Sequence, residues 1–155
     1  MEEKMKLKGK LNIDVAHADG TLTSVHNNNT VVTLGMFQAA RSIVSGAYAA
    51  PDPVSWMAIG LGSSTVAAGD TVLGSEYLRL GNADLVGSTT TTSTTNDTSR
   101  FIGSFGILDT KTVNEAGLFN KSGLDLGSMM SRTGFTDIVV VSGDTIRATW
   151  DIAFS

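Results

Sequence analysis

The chain has 155 residues, no cysteine and a formal net charge of −4, with 11 basic residues against 15 acidic ones. The length suits one domain burying roughly 68–70% of its unfolded surface, and the lack of cysteine excludes disulfide frameworks, thiolate metal sites and cysteine nucleophiles. The acidic balance argues against a nucleic-acid binder, which needs a basic patch.

Charged residues make up 17% of the chain, below the usual share of about a quarter. Glycine and threonine take their place. A low-charge, hydroxyl-rich surface fits a protein that packs against copies or neighbours. It equally fits a plain β protein, since threonine favours strands. No run of about 18 apolar residues occurs, so no helical membrane span is expected. Residues 1–6 lack the apolar core of a signal peptide. The expectation is a chain that stays in the cytoplasm in which it is made.

From Met5 to Val15 the sequence alternates. Met5, Leu7, Leu11, Ile13 and Val15 share one face, and Lys6, Lys8, Lys10, Asn12 and Asp14 share the other. A period of two predicts a half-buried antiparallel strand. The lysine face has two readings. One is an edge strand kept free of unwanted pairing. The other is an N-terminal arm over residues 1–10, with Lys4, Lys6, Lys8 and Lys10 lying on an acidic neighbour. Ala18-Asp19-Gly20 predicts a turn, and Thr21 to Val25 a hairpin partner. His26-Asn27-Asn28-Asn29-Thr30 reads as polar and turn-prone.

Between Thr33 and Ser45 the period changes. Leu34, Phe37, Ala40, Ile43 and Val44 recur at helical spacing. One short helix is expected there, with this stripe facing the core. Val54 to Leu61 is apolar at nearly every position and predicts a strand buried on both faces. Gly60-Leu61-Gly62 invites comparison with a phosphate-binding glycine loop. The third glycine of that pattern is replaced by Thr65, and no P-loop lysine follows. Ser63 to Gly74 reads as a long surface loop with a turn at Gly69-Asp70. Loops of this length often carry contacts, which makes Ser63, Ser64, Thr65 and Asp70 interaction candidates.

Glu76 to Leu80 is a short mixed segment. The threonine run from Thr89 to Thr95 is read as one side of a hairpin turning at Asn96-Asp97 and returning through Arg100 to Phe105. Thr112 to Asn120, Ser128 to Phe135, Ile138 to Val141 and Thr145 to Phe154 complete a meander. Ile146, Ala148, Trp150, Ile152 and Phe154 share one face of the last strand. The fold class expected is mainly β: one antiparallel β-sandwich domain of jelly-roll or Greek-key type with the single helix.

A search for chemistry yields little. The two histidines, His17 and His26, sit in polar surroundings without metal-ligand spacing. No G-x-S-x-G elbow or calcium-loop pattern occurs, and nothing singles out a catalytic pair among the acids. Three matches to the glycosylation pattern, starting at Asn28, Asn96 and Asn120, are read as chance without a secretory signal. Glu115 stands apart, because it lies in the apolar stretch Val113 to Phe119. A buried carboxylate there needs a partner. Arg132 is the first candidate and Arg100 the second, for an ion pair that fixes register or a subunit contact. Gly117 beside it suggests close approach or a bulge.

Several segments resemble a known family in their order. They are Trp56-Met57-Ala58-Ile59-Gly60-Leu61-Gly62, Ala67-Ala68-Gly69-Asp70-Thr71, Glu115-Ala116-Gly117-Leu118-Phe119-Asn120, Met129-Met130-Ser131-Arg132 and Gly143 to Trp150. Together, over roughly residues 30 to 155, they resemble the small structural proteins of tailed bacteriophages and related prokaryotic viruses. The resemblance implies a non-enzymatic virion component without catalytic residues or cofactor. It implies partners of its own kind, most simply in a trimer, and a major capsid protein or other virion protein. Capsid decoration is the first role implied, and a tail-fibre or baseplate-associated role the second.

Overall fold

A computed structural model describes residues 6–41, 53–81, 83–123 and 129–155. Nine strands and one helix follow in order: β1 (Leu7–Ala16), β2 (Leu22–Val31), α1 (Thr33–Arg41), β3 (Trp56–Gly60), β4 (Glu76–Leu80), β5 (Leu85–Thr90), β6 (Thr98–Gly106), β7 (Lys111–Phe119), β8 (Met129–Val140) and β9 (Thr145–Phe154). The strands form one sheet in the order β4-β3-β7-β8-β2-β1-β9-β6-β5. Every pairing is antiparallel. The mainly β, antiparallel expectation holds, and the sheet is rolled nearly into a barrel. Leu80 of β4 closes it against β6: a Cβ added to Gly103 would lie 3.1 Å from Leu80 Cδ1. No helix among the described residues is long and apolar enough to cross a membrane.

The alternation of β1 and β9 sets the barrel interior. Leu11, Ile13 and Val15 point inward beside Ile146, Ala148, Trp150 and Ile152, and all seven are buried. They meet Met57, Ile59, Val113, Leu118, Phe105 and Val140 in one cluster. Burying each large side chain contributes about 1.5–3 kcal/mol. β1 is neither an edge nor an arm. Leu7 to Lys10 lie opposite Phe154 to Asp151 of β9, and Gly9 and Lys10 also pair with Asn29 and Asn28 of β2. Lys6, Lys8 and Lys10 are exposed on its outer face, and Lys4 lies outside the described residues.

A second, smaller cluster covers the outer face of β3, β7 and β8. Val32, Ala58, Leu73, Phe119 and Met129 are buried there, with Leu34 and Trp56 packed against them. Gly117 fits this layer, since a Cβ on it would come within 2.8 Å of the Phe119 ring. The helix contributes less than its periodicity suggests. Leu34 packs inward, but Phe37 is 55% exposed and Ala40 is exposed as well. Ile43 and Val44 fall outside the described residues.

Two sequence expectations are corrected along the β2–β8 junction. His26 to Thr30 is not a turn but the second half of β2. The expected break between Phe135 and Ile138 is an irregularity inside one continuous β8. Val113 pairs with Ile138 and Glu115 with Gly134, so β8 carries extra residues opposite Asn114. Bulged strands bend and end local pairing. Accordingly β2 and β8 pair at only two positions, Thr30 with Arg132 and Val31 with Ser131. Side chains bridge the next stretch. Asn29 bonds Ser131, Asn27 bonds the Gly134 carbonyl, and Thr133 Oγ1 donates to the Asn28 carbonyl at 3.1 Å. The asparagines that read as turn formers are the stitching of this seam.

Candidate functional site

The connection from β3 to β4 leaves the sheet at Leu61 and returns at Ser75, with its ends joined by Leu61 N–H donating to the Ser75 carbonyl at 2.8 Å. Compact loops with close ends are frequently functional. This one is built around Glu115. On β7, Val113 and Ala116 face the barrel, while Glu115 emerges on the outer face beneath the loop, fully buried. Its Oε1 accepts the amides of Gly62 and Ser75, each at 2.8 Å, and its Oε2 accepts the Gly74 amide at 3.0 Å. Of the glycine pair that invites comparison with a phosphate loop, Gly62 does bind an anion, and the anion is the protein's own carboxylate. Gly62 has to be glycine, because a Cβ there would overlap Glu115 Oε1.

Arg132 completes the cluster from β8. Its side chain is 3% exposed. Nη2 donates to Glu115 Oε2 at 2.7 Å and to Ser64 Oγ at 2.7 Å, and Nη1 donates to Asp70 Oδ2 at 2.6 Å. Burial opposes the guanidinium charge, but Asp70 and Glu115 outweigh it and raise its pKa. Burial also works to raise the Asp70 pKa, yet the Ala67 amide and Arg132 hold it below the ordinary value. Asp70 Oδ2 takes that amide at 2.9 Å, and Thr33 of the helix donates its own amide to the Ala68 carbonyl at 2.7 Å.

The structure therefore brings Glu115, Arg132, Asp70 and Ser64 into one cluster. Ser63 and Thr65 lie beside it, exposed at the surface. Arg100 is elsewhere. It forms a two-pronged pair with Asp151, directly opposite on β9, at 2.7 and 2.8 Å. A second covered ion pair escaped the sequence reading. Arg79 and Glu76 on β4 bond at 2.6 Å, with side chains 3% and 1% exposed. The Arg79 guanidinium also lies 3.9 Å from the centroid of the Phe119 ring. The Glu-x-x-Arg spacing was visible, but nothing in it told that an edge strand would bury it.

A hairpin is present there, but its strands are Leu85–Thr90 and Thr98–Gly106, so most of the threonine run, Thr91 to Thr95, forms the tip rather than a strand, and Asp97 organises that tip. The amides of Thr92, Ser93 and Thr94 donate to its carboxylate at 2.7–2.8 Å, which drives its pKa far below the ordinary range. Asn96 takes a left-handed φ of 60° there.

His17 joins two turns. Its Nδ1 lies 2.9 Å from buried Asp144, and its Nε2 lies 2.9 Å from Thr23 Oγ1. The order carboxylate, imidazole, hydroxyl is that of an acyl-transfer relay. The neighbouring amides are already spent, however: Ala18 on Asp144 and Thr21 on Asp19. Val141 and Ala18 donate to Asp144 and, with His17, lower its pKa. The group acts as a clip between the β1–β2 and β8–β9 turns. His26, mid-strand, lies 2.7 Å from Asn12. Among the described residues no three acidic or histidine side chains gather as a metal site.

Two clefts follow the β2–β8 seam. One, of about 450 Å³, is lined by Val25 to Asn27, Gly62 to Ser64, Asn114 and the β8 irregularity. The other, of about 400 Å³, lies between Thr21 and Val139 beside the His17 clip. No protein-family model, curated protein or solved structure matches the chain.

Proposed function

We propose that this chain is a non-enzymatic structural protein of a virion, a capsid decoration protein that binds the outside of the shell as a small oligomer and stabilises it. The observation that carries the reading is the fixed 61–75 loop. The buried charges beneath it are consumed in holding it, Glu115 of β7 on three loop amides and Arg132 of β8 on Asp70 and Ser64, while the outward residues Ser63, Thr65, Ala67, Ala68 and Thr71 are small and uncharged. A surface ordered before contact loses little entropy when it docks, which suits a module that must occupy many identical sites. The resemblance of the β3, β7, β8 and β9 segments to phage structural proteins supports the same role. A jelly-roll or Greek-key kinship of the barrel belongs to this proposal, supported by the near-parting of the sheet between β2 and β8.

On this reading the chain needs no cofactor, nucleic acid or membrane. It associates with itself, most simply as a trimer, and with a major capsid protein. The test is mixing purified protein with expanded shells of its virus. Sedimentation with shells, and a raised shell melting temperature, are expected. Recovery only with tail fractions of disrupted particles would replace decoration by the tail-associated role. A monomer by light scattering at high concentration would remove the oligomer.

A further inference from the structure

The seam between β2 and β8 has properties that the loop does not share. β2 is ten residues long, and its register with β1 runs unbroken from Leu22 to Asn29. On its other side it meets β8 only at Thr30 and Val31. The carbonyls of Asn28 and Thr30 turn toward β8, where Thr133 and Ser131 bond them. Alternation along a strand then turns the backbone groups of His26, Ser24 and Leu22 to the same side. Below Asn27, β8 has swung away at its irregularity, and the two clefts occupy the space. Aliphatic side chains flank this stretch: Leu22 is 78% exposed, Val139 60% and Val141 42%. The formal charges lining the clefts are acidic: Asp137 in one, and in the other Asp19 and the buried Asp144, which His17 holds.

We infer that Leu22 to His26 is a docking edge for an extended segment of a partner polypeptide, one with alternating aliphatic residues and basic flanks. A row of amides and carbonyls with no strand partner among the described residues selects extended backbone over any other ligand. The partner's strand pairs with β2. Its alternate side chains cover Leu22, Val139 and Val141. Its basic ends meet Asp19 and Asp137. Asn27, bonded to Gly134, sets the upper limit of the paired stretch. The open edge belongs to the fold and holds for any particle the chain joins.

The test uses the full chain with three synthetic octapeptides, in one-letter code KVTVTVTK, EVTVTVTE and KVTPTVTK. Amide hydrogen exchange reads the site. The lysine-flanked peptide is expected to slow exchange at Ser24 and His26 by about tenfold or more at saturation. The glutamate-flanked peptide should bind at least about fivefold more weakly, and the proline-broken one should give no protection. Ser24→Pro removes an edge amide and should abolish binding. Val139→Lys, at an exposed site that leaves the fold alone, should weaken the lysine-flanked peptide. Absence of protection with all three peptides overturns the inference. So does protection confined to β4 or β5, or equal binding of the two charge types. Protection that grows with protein concentration alone, without peptide, would make the occupant a second copy and overturn it too.

Discussion

Replacing Glu115 by glutamine keeps the shape of the side chain and removes its charge. One acceptor oxygen becomes a donor among the Gly62, Gly74 and Ser75 amides and the Arg132 guanidinium. Breaking a buried ion pair by removing one partner costs about 3–5 kcal/mol. At roughly 2–4 °C per kcal/mol for a domain of this size, the melting temperature should fall by roughly 6–20 °C. A second variant separates two causes. If the pair were merely electrostatic, replacing both members by apolar residues would be close to neutral. Here Glu115→Leu with Arg132→Met also strands three part-buried loop amides, each costing up to about 1–3 kcal/mol without a partner. The double variant should therefore remain as destabilised as Glu115→Gln. Scanning calorimetry checks the magnitude, and hydrogen exchange at Gly62, Gly74 and Ser75 checks the location. Recovery of the wild-type melting temperature by the double variant would refute the claim that the carboxylate holds the loop.

The pair between Arg100 and Asp151 is partly exposed, at 38% and 19%, so Arg100→Met should cost under about 1 kcal/mol by urea unfolding. Asp97→Ala should open the threonine hairpin, and limited proteolysis should then cut between Thr91 and Asn96 while the barrel core stays protected. Asp97, Asp144 and Asp70 all have pKa values below their ordinary level. Their contribution to stability is present above the unfolded value of about 3.9 and is lost as pH falls through their lower folded values. Melting temperatures should be flat above that point and drop progressively below it. Deleting residues 1–10 removes Leu7 to Lys10 from a strand flanked by β2 and β9, so the truncated chain should lose thermal stability along with attachment.

Where one face is buried and the other wet, the sequence was legible. β9 runs from Thr145 to Phe154 as its alternation predicts, and the odd residues of β1 line the core. Glu115 and Arg132 could be paired because a carboxylate in an apolar strand has few physical outcomes. The rest depended on partners distant in sequence. The His26–Thr30 asparagines carry turn propensity, and it is their pairing with β1, joined by Ser131, Thr133 and Gly134 across the seam, that makes them strand residues. Arg100 was matched to the wrong carboxylate because its true partner is set by the β6–β9 register. The loop amides on Glu115 were not legible either, since a backbone donor leaves no mark in the side-chain alphabet.

The carboxylate under the loop also has a chemical consequence. Loops that fold around a free anion change shape as that anion comes and goes with the medium. This one carries its anion covalently fixed on β7, the strand paired with β3, so no dissolved ion has to supply it. Buried charges are weakly screened, so the outline of the 61–75 surface should stay the same in dilute buffer and in strong brine. Whatever it touches meets the same shape in both.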